Sequence, residues 1–350
     1  MPETNFLFII YCMKKNKNHM TLKGSGRHFL ALACIVLIVS CGTDSCESSG
    51  SGNSSSKSIR VMNWNLQTFF DASFDGNEYT EYKSSKNGWS SEKYEARLER
   101  LCSVIKTLDA DVVVIEEIEK EDQIQDIANR LSGTFDFSKL YRYAFFATGE
   151  SSSIGCAVLS RYPAGEISVH SMDIRGNAEQ PSMRPVIQFS LYLNDKTLVF
   201  FVNHWKSKSG GEEVSEIWRN RQEKILSNLM YEASKKNRYL IAAGDFNRNI
   251  TEFTVRNSAK NVVLHGNQDF EVYSPWILDN GELKEIGSYW YQNEWERIDH
   301  FFAGGDTEIT NFCVENLGEW ADSDGHPFRY QIWNGKGYSD HFPITCTVKF

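Results

Sequence analysis

The chain has 350 residues, 41% of them hydrophobic and 24% charged, which suits a globular protein with length for a substantial core and excludes gross disorder. Residues 1–40 carry Lys14, Lys15, Lys17, Lys23 and Arg27 against Glu3, so the net charge of −9 less their +4 leaves −13 for the remainder. Such an acidic body excludes tight non-specific binding of nucleic acid through phosphate neutralisation, though not local binding at a hydrolytic site.

Taken from the front, residues 29–39 are apolar, follow basic residues and are too short to span a bilayer comfortably. They end in Ile38-Val39-Ser40-Cys41, which resembles the lipobox of bacterial lipoproteins, with the Cys41 thiol as lipid acceptor. Met13 or Met20 makes a more ordinary signal-peptide start than Met1. This predicts a signal peptide over 1–40 and a lipidated Cys41 opening a flexible Ser/Gly tether over 41–58. It also predicts lipid anchoring outside the cytoplasm of a bacterium, at the outer membrane. An uncleaved N-terminal anchor is the alternative. Cys46, Cys102, Cys156, Cys313 and Cys346 show no C-x-x-C spacing, so a zinc site has no support. Cys102 and Cys156 lie in apolar runs and are expected to be buried as small hydrophobes.

Residues 59–65 alternate and end in polar residues, predicting a strand with Asn65 at its tip. Ser90 or Ser91 caps a helix with the apolar stripe Tyr94, Leu98, Leu101, Ile105 and Leu108. Residues 112–115 are an unbroken β-branched run, a strand buried on both faces that stops at Glu116-Glu117. The same order then returns. Residues 198–202 form a strand ending in Asn203-His204, and residues 214–233 are amphipathic with Ile217, Trp218, Ile225 and Leu229 on one side. Residues 239–243 are a buried strand ending in Gly244-Asp245-Phe246-Asn247. Two strand–helix–strand halves predict an α/β fold: two packed mixed β-sheets with helices outside, a four-layer αββα sandwich, one domain over 59–350. Residues 261–291, with Trp276, Trp290 and Tyr291, are read as a packed flap rather than a stacking surface.

Asn65, Glu117, His204, Asp245, Asn247, Asp299, Asp340 and His341 nearly all follow an apolar run. The crevice beyond strand carboxyl ends is where α/β sheets bind ligands. Carboxylate and amide oxygens without thiolates select Mg²⁺, Mn²⁺ or Ca²⁺ over zinc. Such a cation polarises a phosphoryl oxygen, and a histidine held by a carboxylate deprotonates water or steadies the transition state. The set therefore points to phosphoester hydrolysis. Singly, each residue has a duller explanation: Glu117 as a solvated loop residue, Asp245 as turn chemistry, His204 as a structural histidine. The ordered set outweighs them.

Asn63-Trp64-Asn65-Leu66, Ile115-Glu116-Glu117, Asn203-His204-Trp205-Lys206-Ser207, Gly244-Asp245-Phe246-Asn247, Arg297-Ile298-Asp299 and Ser339-Asp340-His341-Phe342-Pro343-Ile344 occur in the order found in the endonuclease/exonuclease/phosphatase superfamily. The chain resembles that superfamily over 59–350, and the resemblance implies a deoxyribonuclease I-like fold. It implies that Asn65, Glu117 and Asp340 hold the metal, Mg²⁺ or else Mn²⁺ or Ca²⁺. Asp245 and Asn247 would position the water and the scissile phosphate, His341 would be the catalytic histidine oriented by Asp299, and His204 would contact the phosphoryl oxygens. Residues 155–161 resemble the family's central strand, and Arg184 would reach the phosphate. Two departures stand out: Glu116 occupies a place where the family usually has Gln, and His204 has no clear acidic partner.

The residues from Asn203 to Lys208, followed by Arg221-Gln222, resemble secreted bacterial nucleases of this group. Lys206 and Lys208 suit a phosphodiester backbone, or are ordinary solvated charges. The expectation is a monomeric metal-dependent nuclease with DNA or RNA as substrate. The alternatives are a phosphatase or phospholipase-type esterase on inositol phosphates or sphingomyelin, and a binding lipoprotein that has lost catalysis. The complete residue set counts against the last.

Overall fold

The computed structural model describes residues 9–12, 58–83, 87–149, 152–172, 180–255, 260–284 and 286–350. Apart from residues 9–12, the expected signal peptide, Cys41 and the tether up to residue 57 lie outside the described residues. No helix among the described residues is long and apolar enough to cross a membrane.

The chain begins with β1 (Ile9–Cys12), β2 (Ser58–Phe69), α1 (Thr80–Lys83), α2 (Ser91–Leu108), β3 (Val112–Ile118) and α3 (Glu121–Ser132). The hairpin-rich middle holds β4 (Tyr143–Thr148), β5 (Gly155–Ser160), β6 (Ala164–His170), β7 (Val186–Leu193) and β8 (Lys196–His204). Then come α4 (Glu212–Ser234), β9 (Tyr239–Asp245), β10 (Thr254–Val255), β11 (Asn261–Leu264), β12 (Phe270–Tyr273), β13 (Tyr289–Tyr291) and β14 (Glu294–Glu296). The chain closes with β15 (Asp299–Gly305), β16 (Glu308–Val314) and β17 (Ile344–Lys349).

Two mixed sheets result, in the orders β1-β4-β5-β3-β2-β17-β16 and β10-β11-β12-β15-β9-β8-β7-β6. Each contains one parallel pair closed by a crossover helix: β2 with β3 through α2, and β8 with β9 through α4. The two sheets face each other, with Phe145 of β4 against Phe189 of β7 at 5.2 Å between ring centroids. The expected two-sheet architecture is the one observed. It follows from apolar runs such as Val112 to Ile115 and Leu240 to Ala243, which are buried throughout and must be covered on both faces. Ile9–Cys12, inside the segment read as a leader, pairs in parallel with β4 at one edge of its sheet.

Helix α2 begins where expected, with the Ser90 side chain accepting from the Lys93 amide, and its whole predicted stripe is buried. In α4 Trp218 is buried and Ile225 and Leu229 pack against the core as predicted, with Leu226 and Met230 beside them, whereas Ile217 is 53% exposed. Buried Arg219, Gln222 and Glu223 share the inner face. Cys102 and Cys156 are free and buried, as expected.

Strands β2 and β3 run further than their apolar stretches. Beyond Asn65 the register with β3 shifts, and Gln67 and Thr68 adopt φ of 52° and 51°. Arg97 of α2 holds this turn from beneath. Its guanidinium is buried and donates to the carbonyls of Leu66, Gln67 and Thr68, and to that of Tyr338 on the far segment. Charge-assisted bonds of this kind are worth about 1.5–3 kcal/mol each, enough to offset left-handed backbone costing of order 1–3 kcal/mol per residue.

Candidate active site

The parallel pairs bring their carboxyl ends to one rim. His204 and Asp245 are register partners at the ends of β8 and β9, and Asp299, the first residue of β15, lies opposite Asp245. Asn65 pairs with Glu116 across β2 and β3, and His341 stands just ahead of β17. Gly244, at φ 143°, allows β9 to approach β8, because a Cβ there would collide with the Asn203 carbonyl oxygen.

Glu117 is aimed by a bulge. It takes φ 62°, and the β3–β5 register shifts between Glu116 and Ile118. An extra residue in one strand re-aims its side chain, so Glu116 and Glu117 both reach the site instead of alternating to opposite faces. The Glu117 carboxylate accepts from the Thr68 amide at 2.6 Å and from Asn65 Nδ2 at 3.3 Å. Asn65 Nδ2 also donates to Asp245 Oδ2 at 3.0 Å, while its oxygen accepts from the Gln67 amide at 2.9 Å. Burial first, and then the nearby Asp340 charge, raise the Glu117 pKa against the pull of Arg184 and His341.

Asp299 and His341 form the centre of the site. His341 Nδ1 lies 2.9 Å from Asp299 Oδ2, and both side chains are buried. Burial alone would lower the imidazole pKa. The Asp299 charge and hydrogen bond, with Asp245 and Asp340 behind them, outweigh it and hold His341 well above its ordinary value. Its backbone is fixed by Ser339 Oγ, which accepts from the His341 amide at 3.1 Å and donates to the Asn65 carbonyl at 2.6 Å. Trp64 Nε1 donates to the His341 carbonyl at 2.9 Å.

Asp245, Asp299 and His341 each bring one ligand-capable atom within 4.8 Å of the others. The Asp245 carboxylate accepts from the Asn247 amide at 2.8 Å and from Asn247 Nδ2 at 3.3 Å, with Asn247 at φ 47°. Burial and the adjacent Asp299 charge push its pKa up to about 7. Asp340 lies beside His341, with Oδ1 3.9 Å from Nε2, and Arg329 Nη2 is 3.4 Å from its other oxygen. His204 Nε2 stands 3.7 Å from both Glu117 and Asp245, and burial with the Arg184 charge drives its pKa well below normal. Its Nδ1 has no hydrogen-bond partner, and the two carboxylates near Nε2 are acidic neighbours that the sequence did not reveal. Arg184 donates to the Trp205 carbonyl at 2.7 Å, the same oxygen that Asn247 Nδ2 reaches at 3.1 Å. Every expected site residue among the described residues therefore meets at one rim.

Lys206 donates locally to the Ser207 and Ser209 carbonyls at 2.9 and 3.1 Å, neutral acceptors that leave its charge in place. Lys208 pairs with Glu212 at 3.2 Å and Glu252 at 3.3 Å, which suits the reading of an ordinary surface charge there. The flap divides. Trp276 is packed as expected, buried and donating to the Asp299 carbonyl at 2.9 Å, but Tyr291 is 51% exposed. Residues that spacing did not single out include Arg97, Ser339, Arg329 and Tyr289, whose ring lies 4.6 Å from His341. Ser339 stood inside a recognised motif, whereas nothing local marks the others.

Residues 60–306 match the sequence model of the Endonuclease/Exonuclease/phosphatase family, well over half of the chain. The chain belongs to that family. Members of the Endonuclease/Exonuclease/phosphatase family are divalent-metal-dependent hydrolases that cleave phosphoesters, and phosphoester hydrolysis is the chemistry of this chain. Among solved structures, TDP2 from Caenorhabditis elegans superposes with a TM-score of 0.55 at 14% identity, over 84% of this chain and 75% of that one. An endonuclease/exonuclease/phosphatase family protein from Bacteroides thetaiotaomicron gives 0.53 at 16% identity, over 84% and 98%. A mannosyl-6-phosphatase from the same species gives 0.53 at 16% identity, over 83% and 100%. These likenesses are likenesses of fold. No curated protein matches the chain by sequence.

Proposed function

We propose that this chain is a nuclease: a divalent-metal-dependent phosphodiesterase that uses the Asp299–His341 pair and Asp245 to direct water onto a phosphodiester. The observation that carries the reading is the buried 2.9 Å Asp299–His341 contact beside Asp245, with the Glu117 and Asp340 carboxylates at the same rim. The donor set fits a hard cation, since Glu117 and Asp340 repel each other across a lip that also holds the Asn65 amide and no thiolate. Asn65, Glu117 and Asp340 would hold it. When bound, it would polarise a phosphoryl oxygen and offset charge on the leaving group.

The protein's own groups supply the rest. Asp245, with a pKa of about 7, accepts a proton from the attacking water near neutral pH. Asn247 holds that carboxylate and the phosphate in line. His341, kept protonated by Asp299, donates to the phosphoryl oxygens as negative charge builds there. Neutral His204 and the Arg184 guanidinium are the further donors to those oxygens. Nuclease action is supported by the resemblance of Asn203-His204-Trp205-Lys206-Ser207 to secreted bacterial nucleases of this group, and by a D. rerio TDP2 of the same fold solved with a single-strand DNA product (TM-score 0.53, 16% identity).

A second reading, a phosphatase acting on a sugar or inositol phosphate, is favoured by the pairing of Lys208 with Glu212 and Glu252 and by the similar fold of the mannosyl-6-phosphatase. Purified protein with Mg²⁺ or Mn²⁺ decides between them. Nicking of plasmid DNA that stops with chelator and with His341→Ala supports the nuclease. Intact DNA and RNA alongside phosphate release from mannose 6-phosphate or an inositol phosphate gives the phosphatase.

We also propose that residues 1–40 are removed and that Cys41 carries the lipid that holds the enzyme at the cell envelope. Cys41→Ala should release the protein from the membrane fraction into the soluble one. A variant that sediments with membranes as the parent does would defeat the anchor.

A further inference from the structure

Strands β13 and β14 form a separate two-stranded hairpin whose side chains divide between two faces. On one face Trp290 lies opposite Trp295. Trp290 stacks on His326 at 4.2 Å and Trp295 lies 6.0 Å from Phe342, so this face is the anchor. Backbone contacts complete the attachment: the Phe342 amide donates to the Ser288 carbonyl at 2.7 Å, and Tyr289 bridges to His341. The hairpin is thereby clamped to the segment that carries the catalytic histidine.

The other face holds Tyr289 opposite Glu296 and Tyr291 opposite Glu294. The Tyr289 ring lies 4.6 Å from the His341 imidazole, and the Tyr291 ring lies 6.0 Å further on at an interplanar angle of 15°. Two nearly parallel, stacked rings thus lead outward from the catalytic histidine, and the outer one is half exposed. Packing on His326 and beside Phe342 accounts for Trp290 and Trp295, whereas Tyr291 is 51% exposed. Arg329, its side chain 67% exposed, stands at the same edge beside Asp340.

We propose that Tyr289 and Tyr291 form a stacking strip for the nucleobase adjoining the scissile phosphate. This rests on the nuclease reading. An aromatic strip binds any base through its π-face, and it gives affinity without demanding sequence. Glu294 and Glu296 beside the rings repel phosphate, so the strip takes the base while the backbone passes on the Arg329 side.

The test compares two single-stranded oligonucleotides of equal length, one with normal bases and one with tetrahydrofuran abasic units, both cut by the full-length enzyme with Mg²⁺. The parent enzyme should show a lower KM for the base-containing strand. Tyr291→Ala should raise that KM about tenfold and bring the ratio of the two close to one, whereas Tyr291→Phe, which keeps the ring, should retain the parent ratio. An unchanged ratio in Tyr291→Ala overturns the strip and leaves the nuclease reading standing. If the parent cuts neither strand but hydrolyses small phosphate esters, the nuclease reading fails and the strip falls with it.

Discussion

Asp299 receives a hydrogen bond at each end: its carboxylate from His341 Nδ1 at 2.9 Å, its main-chain carbonyl from Trp276 Nε1 at 2.9 Å. The buried indole thus fixes the residue that fixes the histidine. Replacing Asp299 by Asn keeps the shape and removes the charge that outweighs burial at His341. The imidazolium should then lose its proton at lower pH. Since the proposed role needs the protonated form, the alkaline limb of the rate profile moves down in Asp299→Asn, with a rate loss of about 10²–10⁴-fold in His341→Ala. An alkaline limb in the same place for parent and Asp299→Asn would contradict this pairing.

Glu117 and Asp340 are expected to bind metal together with Asn65. Glu117→Gln and Asp340→Asn should each weaken Mn²⁺ binding, followed by titration calorimetry, by about 10–100-fold, and should raise the Mg²⁺ concentration needed for half-maximal rate by a similar factor. Retention of parent Mn²⁺ affinity in both variants would place the cation elsewhere.

Stability of the metal-free protein should fall as pH rises through neutrality. Asp245 has a folded pKa of about 7 against an ordinary value of 3.8, and Glu116 and Glu117 are raised as well. A raised carboxylate pKa contributes stability that is full below the unfolded value and lost as pH passes the folded one. His204 and His300, the latter lowered to about 4, act in the opposite sense, but only as pH falls below 6.5. The window to watch is therefore pH 6.5 to 8, where the raised carboxyls and His341, also held above its ordinary value, all lose stability in the same sense, each by up to about 1.4 kcal/mol per pH unit. Mg²⁺ competes with those protons, so the Tm gain it produces should be larger at pH 8 than at pH 6. A metal-free Tm that does not change across this window would refute the linkage.

Glu116 faces inward with both oxygens buried and without a hydrogen-bond partner. Burial, Asp299 and Asp245 all push its pKa well above the carboxylate range. Glu116→Gln keeps the shape and removes the ionisable group, so the Tm of the variant relative to the parent should be higher at pH 8 than at pH 5, the parent alone losing stability as pH rises. The same Tm difference at both pH values would show that the carboxylate is satisfied there.

How much of the site could be read along the chain depends on how local each cause is. Asn65, Glu117, Asn203-His204 and the Gly-Asp-Phe-Asn turn announce themselves because an apolar run followed by polar residues is a property of neighbours. The two strand–helix–strand halves are visible for the same reason. The α2 stripe was apparent because every member is apolar. In α4 Ile217 was misplaced, because buried Arg219, Gln222 and Glu223 take part of the inner face.

The chain's order alone therefore determined the two-sheet sandwich, the oxygen-rich donor set and the class of reaction. Tertiary structure alone decided which side chains those donors face. The bulge at Glu117 turns two adjacent carboxylates into one crevice, against the alternation that strand geometry imposes. Lys208 finds carboxylates that balance its charge, and burial with the Arg184 charge drives the His204 pKa well down. Arg97 joins carbonyls of Leu66 and Tyr338, which are separated by most of the folded chain. The hairpin from Tyr289 to Glu296 turns its tryptophans toward His326 and Phe342, lays Tyr289 against His341 and leaves Tyr291 exposed, because only packed neighbours define an inside. Contacts of this kind join residues far apart in sequence, so their energy is not written in any local pattern.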